Sequence, residues 1–224
     1  SSICVKEYDL MDQDIEIINT NTRNEKIKNF FIKNKKPLIS LIIVIILILF
    51  SFFFYQEYKS GQKEKLANQY NLAVIKFESD DKDGVIISMK EIITAKDKTY
   101  SPLAFYFLLD KELISSRDEI NSYFDIIIND VGLNKEIKEL TIFKKGLFNS
   151  DFASENDLLN ILNPVIKTES VWKAHALYLM AEYYFFKSQK QKSKEFFEQI
   201  TKLENANSKI KLEAQKRLST NFSE

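Results

Sequence analysis

AHALYLMAEYYFFKSQKQKSKEFFEQITKLENAN, residues Ala174–Asn207, carries the clearest structural signal in the chain. Apolar residues recur there every three or four positions on both sides of a short polar joint at Ser188–Lys190, which predicts two amphipathic helices. Ala181 is small, as expected where two paired helices cross closely. The residues predicted to pack the two helices together are Leu177, Met180, Ala181, Tyr184, Ser193, Phe197 and Ile200.

The second helix of this pair has an apolar ladder at positions i, i+4 and i+7, and similar ladders occur upstream. Successive ladders are offset by 35, 34 and 39 residues. A helix pair that recurs about every 34 residues is typical of the tetratricopeptide repeat, or TPR. The four predicted ladders are Val85/Met89/Ile92, Ile120/Phe124/Ile127, Ser154/Leu158/Ile161 and Ser193/Phe197/Ile200.

Short polar joints divide the remainder of the chain into about nine helical segments, and no segment shows the period-2 alternation of a strand. The β-branched runs Val85–Ile87 and Ile126–Ile128 lie inside longer helical patterns, so we assign both to helices. A final amphipathic segment, Ser208–Thr220, suits a cap over the last repeat. We therefore expect an all-α protein in which one N-terminal transmembrane helix precedes a TPR-like right-handed helical-hairpin solenoid. The joints lie near residues 79–84, 96–102, 115–118, 132–134, 149–151, 167–170, 188–190 and 204–207.

An uncharged apolar run of 18 residues, Leu38–Tyr55, precedes these helices. As a helix it would span about 27 Å, close to the roughly 30 Å hydrocarbon core of a bilayer. A buried core helix is the alternative, but such a helix seldom lacks charge over this length. No small-residue cleavage site follows the run, so a cleaved signal peptide is disfavoured. We expect a transmembrane anchor over residues 37–58 that contacts the lipid bilayer through residues 38–55.

The charges before the anchor predict its orientation. Residues 1–22 carry a net charge of −4, and residues 23–36 carry +5. By the positive-inside rule, residues 1–36 form a cytoplasmic tail and residues 59–224 an exported, periplasmic domain with a C-terminal capping helix. The expected location is the bacterial inner (cytoplasmic) membrane, crossed once. Met11 is a possible natural start, in which case residues 1–10 are an extension.

The composition excludes several kinds of chemistry. The 224 residues include 4 Gly, 1 Cys and 1 His, which leaves neither a Gly-rich phosphate loop nor a Cys/His set for a metal. No nucleophile elbow occurs. Lys+Arg and Asp+Glu number 32 each, although residues 110–170 carry −5 and residues 187–217 carry +5. This segregation suits either partner steering or solvated helix faces. We expect no enzyme activity, no cofactor and no nucleic-acid partner.

Three residues of the last repeat are candidates for partner binding. Trp172 and Tyr183 belong to the aromatic types that anchor interfaces, with helix packing as the alternative for Trp172. His175, the only histidine, suits a structural or groove-lining position, and a hydrolase that uses it is a further hypothesis. The aromatic run Tyr183–Phe186 is too wide for one buried face, so at least one ring should reach a groove or a neighbouring helix.

From about Ile15 to the C-terminus, the chain resembles a bacterial family of inner-membrane proteins, the ancillary Sec-translocon subunit and cell-division-coordinator TPR group. The resemblance rests on the acidic-then-basic tail, the single anchor, a membrane-proximal helix at Lys59–Phe77 and the blocks Val171–Leu177, Ala181–Tyr184 and Lys194–Glu198. It implies a scaffold or chaperone-like adaptor at the periplasmic face. The implied partners are translocon subunits, exported clients or periplasmic chaperones. An oligomerising scaffold of an envelope or cell-division complex is the alternative, and the oligomeric state is left open.

Overall fold

The computed structural model describes residues 22–222, which form ten α-helices and no β-strand. The all-α prediction is therefore confirmed for this part of the chain. The possible start at Met11 and most of the acidic tail lie outside the described residues. The helices are α1 (22–33), α2 (Lys35–Glu78), α3 (Lys82–Thr94), α4 (Tyr100–Asp110), α5 (Arg117–Asn129), α6 (Lys135–Asn149), α7 (Glu155–Ile166), α8 (Lys173–Phe186), α9 (Lys190–Lys202) and α10 (Ser208–Asn221).

Short polar joints separate the helices from α2 onward, at the eight places the sequence indicates. Several of these helices begin at a capping side chain that accepts a hydrogen bond from a backbone N–H three residues later. Ser116 caps α5 through Glu119, Asn134 caps α6 through Ile137, and Ser154 caps α7 through Asp157. The two β-branched runs are helical, because they lie within α3 and α5.

Helix α2 runs unbroken for 44 residues, so the predicted anchor and the predicted helix at Lys59–Phe77 are one continuous helix. Among the described residues it is the one helix long and apolar enough to cross a membrane, and its apolar window is not buried by the protein. The chain divides into two compact units, up to Gln62 and from Lys63. That boundary falls inside α2.

The second unit is built from helices that contact their neighbours in the chain and also the next helix but one. Contacts of the latter kind join α3 to α5, α6 to α8 and α8 to α10. Three apolar clusters fill the space between the helices. The first extends from the C-terminal part of α2 to α5, the second from α6 to α8, and the third from α8 to α10.

The ladders predicted in α3, α5 and α9 are fully buried. The ladder predicted in α7 was wrong by one turn, because the buried residues are Leu158, Leu162 and Val165. Ser154 is exposed and caps α7, and Ile161 is only partly buried. The four buried ladders therefore begin at Val85, Ile120, Leu158 and Ser193, at offsets of 35, 38 and 35 residues.

Small buried residues recur in the first helix of three of the helix pairs. Ala73, Gly146 and Ala181 are each followed, 16 residues later, by a large buried residue on the next helix. A Cβ atom at Gly146 would overlap the side chain of Leu162, so these two helices approach closely there. The large residues are Met89, Leu162 and Phe197.

The α8–α9 crossing has a polar contact as well. The buried Ser193 hydroxyl donates a hydrogen bond of 2.8 Å to the Ala181 carbonyl. Small side chains at both positions let the two helices approach closely enough for this hydrogen bond. The α4–α5 pair differs, because Leu108 stands at the corresponding position and the joint between those helices has six residues.

The corrected ladder in α7 predicts which truncation destabilises the second unit. In fragment 56–224, we expect Leu162→Ala to lower the free energy of unfolding by about 2–5 kcal/mol, since it leaves a cavity in a close-packed core. Ile87→Ala is the control, because Ile87 is 61% exposed and its truncation should change stability by only about 0.5 kcal/mol. Urea denaturation followed by circular dichroism measures both. A larger loss for Ile161→Ala than for Leu162→Ala would contradict the corrected ladder.

Candidate partner-binding site

The seven predicted repeat-packing residues are all buried in the core formed by α8 and α9 with their neighbours. Polar contacts also hold α8 in place. The Tyr184 hydroxyl donates to Glu155 Oε1 at 3.0 Å, and Lys192 Nζ donates to the same oxygen at 2.7 Å. Glu155 lies on α7 and Lys192 on α9, so this network joins three helices. The ammonium of Lys192 lowers the pKa of Glu155.

Tyr183, one of the three candidate partner-binding residues, has only 8% of its surface exposed. Its hydroxyl donates a hydrogen bond of 3.1 Å to the Ala153 carbonyl, just before α7. The ring therefore packs α8 against the preceding helix pair. At the end of the same aromatic run, Phe186 is 86% exposed, as expected for at least one of these four rings.

Trp172 and His175, the other two candidates, are half-buried and lie together at the start of α8. Their ring centroids are 5.3 Å apart. Phe143 of α6 completes the cluster, with its ring nearly parallel to that of Trp172 at 6.2 Å and edge-on to that of His175 at 5.9 Å. We call Phe143, Trp172 and His175 the aromatic cluster.

A buried acidic side chain fixes the backbone just before the aromatic cluster. Ser170 donates its hydroxyl hydrogen to Glu139 Oε2 at 2.7 Å and accepts a hydrogen bond from the Trp172 N–H at 3.1 Å. Glu139 lies on α6 and is buried. Because these contacts set the entry of the chain into α8, the positions of Trp172 and His175 depend on α6 as well as on α8.

An open groove of about 420 Å³ lies beside His175, between α8 and the start of α10. Its walls combine aromatic, aliphatic and charged side chains, a mixture suited to contact with a polypeptide. The lining residues are His175, Tyr178, Asn207, Lys209, Ile210 and Glu213. We call this the α8–α10 groove.

Burial shifts the pKa values of two residues in the α8–α10 groove, His175 and Tyr178. Desolvation lowers the pKa of His175, whose Nδ1 is buried and has no hydrogen-bond partner within residues 22–222. The neutral imidazole is therefore favoured in the folded protein. Burial raises the pKa of Tyr178, and the carboxylates of Glu182 and Glu213 add to the effect.

An ion pair joins the C-terminal half of α10 to α8. Arg217 Nη2 lies 2.6 Å from Glu182 Oε1, and the guanidinium lies over the ring of Phe185 at 4.8 Å from its centroid. Lys211 of α10 donates to the Leu203 carbonyl at 2.7 Å. The helix predicted as a cap thus packs through Ile210, Ala214 and Leu218, while Leu212 faces outward and is exposed.

Three residues of the site, Tyr178, Ile210 and Phe143, were not among the candidates predicted from the sequence. Tyr178 lies one helical turn after Ala174, on the face that also carries His175 and Glu182, and that spacing was the available signal. Ile210 and Phe143 join the site only through packing between helices. Within residues 22–222, no group of three or more His, Cys, Asp or Glu side chains is arranged to hold a metal ion.

Comparisons with protein-family models, with curated proteins and with solved structures return no match for this chain.

Protonation of His175 should make the second unit less stable in mild acid. Because the pKa of His175 is lowered on folding, the unfolded chain takes up the proton first as the pH falls below about 6.5. Stability is then full above that pH and declines as the pH drops through the folded-state pKa. In urea denaturation of fragment 56–224, we expect a greater loss between about pH 7.5 and 5.5 for the wild type than for His175→Gln.

Lys209 and Glu213 are the charged side chains that line the groove beside His175. Glu119 and Glu155 have lowered pKa values, so their contribution is lost only below the ordinary Glu value of 4.5. Equal pH dependence in the wild type and in His175→Gln would show that His175 is not the titrating group.

Proposed function

We propose that the chain is a single-pass membrane protein whose TPR-like helical domain binds other proteins through the aromatic cluster and the α8–α10 groove. The observation that carries the proposal is the set of four buried ladders at offsets of 35, 38 and 35 residues, next to one apolar helix long enough to span a bilayer. Stacked helix pairs commonly present extended binding surfaces.

The packing between helices supports a TPR-like solenoid. In repeats of that kind, a helix contacts the helices before and after it in the chain and also the next helix but one. Contacts of the second kind join α6 to α8 and α8 to α10. Three of the four pairs place a small residue at the crossing and a large one 16 residues later. In the last pair, seven positions with TPR-like character are buried together. The departure at Leu108 makes the α4–α5 pair the least regular of the four.

The composition of the groove supports a polypeptide as its ligand. Tyr178 provides aromatic area, which often dominates protein interfaces. Asn207, Lys209 and Glu213 offer hydrogen-bond donors and acceptors along the rim. Lys209 carries a positive charge there and Glu213 a negative one. Such a rim suits the alternating polar groups of a peptide backbone better than a single small anion.

Location follows from the charges that flank the apolar helix. The net +5 of residues 23–36 favours a cytoplasmic N-terminus and, with it, a periplasmic location for the second unit in a bacterial cell. With the family resemblance, this location makes translocon subunits, exported clients and periplasmic chaperones the proposed partners. The role would be that of a scaffold or chaperone-like adaptor near the Sec translocon.

A second candidate, an oligomerising scaffold, is favoured by one observation. Phe186 is 86% exposed at the end of α8, beside Tyr183, Leu179 and Lys187 in a smaller groove. Phenylalanine is among the aromatic residues that are enriched where protein chains contact each other. In this case the partner is a second copy of the chain.

Site-specific crosslinking in native membranes tests the proposal and separates the two candidates. A photoreactive phenylalanine replaces Tyr178 in the α8–α10 groove, and the matched control carries it at Ile87, an exposed position on α3. We expect products with exported or envelope proteins from position 178, greatly reduced by Trp172→Ala and absent from position 87.

The other outcomes are equally informative. Products of twice the mass of the chain would favour the oligomerising scaffold. Identical products at both positions, or none at position 178, would contradict binding in the groove. Products with cytoplasmic proteins would contradict the proposed orientation.

A further inference from the structure

We propose that α1 is an interfacial helix, whose apolar face enters the headgroup region of an anionic membrane beside the transmembrane anchor. The partner is the lipid surface itself. The inference rests on the proposed anchoring of α2 in a bilayer, and it adds a second membrane contact with different chemistry.

The apolar face of α1 is short and continuous. Ile27, Phe30 and Phe31 stand at spacing i, i+3 and i+4, so they share one side of the helix. Their side chains are 48%, 57% and 57% exposed, and none of them is in a buried cluster of the described residues. In water, such a face would be unfavourable, since three large apolar groups remain hydrated.

Basic side chains flank this face on both sides. Lys26 and Lys33 are seven residues apart and lie along one border, whereas Lys28 lies along the other. Glu25 and Asn29 occupy the opposite side of the helix, together with Ile32, which is 64% exposed. Aromatic and aliphatic groups bordered by lysines are typical of helices that lie in the plane of an anionic membrane surface.

The boundary between α1 and α2 is a single residue, Asn34. Helical hydrogen bonds continue across it, because the Asn34 N–H donates to the Phe30 carbonyl and the Leu38 N–H donates to the Asn34 carbonyl. Pro37 has no N–H to donate to the Lys33 carbonyl, so one helical hydrogen bond is missing there. A helix bends most readily at such a position, and an interfacial segment next to a spanning helix requires a bend.

Charge complementarity identifies an anionic membrane as the partner of the apolar face of α1. Lys35 and Lys36 continue the positive charge to the start of the apolar run, so the whole segment 23–36 carries +5. A partner helix would have to be both acidic and apolar, whereas an anionic lipid leaflet supplies negative headgroups over an apolar interior at the depth where α2 enters. The continuity of α1 with the anchor places it at that surface.

Accessibility of spin labels in the full-length protein tests the inference. After Cys4→Ser, single nitroxide labels are attached through Phe31→Cys on the apolar face, Asn29→Cys on the opposite face as matched control, and Ile45→Cys within the anchor. The protein is reconstituted into vesicles of phosphatidylcholine with or without phosphatidylglycerol. Collision with a water-soluble nickel chelate is then measured by power saturation.

We expect protection at position 31 and exposure at position 29 in vesicles that contain phosphatidylglycerol. Replacing Lys26, Lys28 and Lys33 by Gln should release α1, because each lysine near an anionic surface changes the bound-to-free ratio by about fivefold. Equal exposure at positions 29 and 31 with position 45 protected would overturn the interfacial helix and leave the anchor intact. Protection that persists in phosphatidylcholine alone, or after the lysine replacements, would overturn the anionic partner. Exposure at position 45 would overturn the anchor and, with it, this inference.

Discussion

The close crossing of paired helices is the constraint on which the second unit depends. Ala73, Gly146 and Ala181 leave room for Met89, Leu162 and Phe197 on the next helix, and all six are buried. Two helix backbones approach closely only where the intervening side chains are small. At Gly146 even a methyl group would overlap its partner. Larger residues at these positions would separate the paired helices and expose the ladders that they cover.

The candidate site follows from the last of these crossings. Ala181 and Phe197 belong to the apolar cluster that joins α8, α9 and α10, and the ion pair of Arg217 with Glu182 also joins α10 to α8, the two helices that line the groove beside His175. The contacts of Glu139 with Ser170 position Trp172 from the preceding pair. In the proposed role, a preorganised groove would lose little conformational entropy on binding a flexible polypeptide.

The sequence was sufficient for the helices and for most of the buried ladders, because polar joints and the i, i+4, i+7 spacing are local signals. It was insufficient at two serines. Ser154 and Ser193 each begin a predicted ladder, yet the first caps α7 at the surface and the second is buried against Ala181. A serine can cap a helix or pack inside one. Which of the two it does depends on where the helix begins relative to that serine. In α7 that start is Glu155, whereas in α9 it is Lys190.

The site was predictable only in part, for a similar reason. Trp172 and His175 are half-buried at the start of α8, whereas Tyr183 is covered by the segment before α7. A run of four aromatic residues does not reveal which ring faces a neighbouring helix, because the rotation of α8 is set by its crossings. The groove itself forms between α8 and α10, so Tyr178 and Ile210 meet through packing that no local pattern encodes.

Nuclear Overhauser effects in fragment 56–224 would test the repeated crossing most directly. With methyl- and ring-labelled residues, we expect close contacts from the Gly146 Hα to the Leu162 methyl groups, from the Ala181 methyl group to the Phe197 ring, and from the Ala73 methyl group to the Met89 methyl group. All three should appear in one set of conditions, because the three pairs of residues are buried in the same unit of the chain. Intact helices without these three contacts would contradict the account.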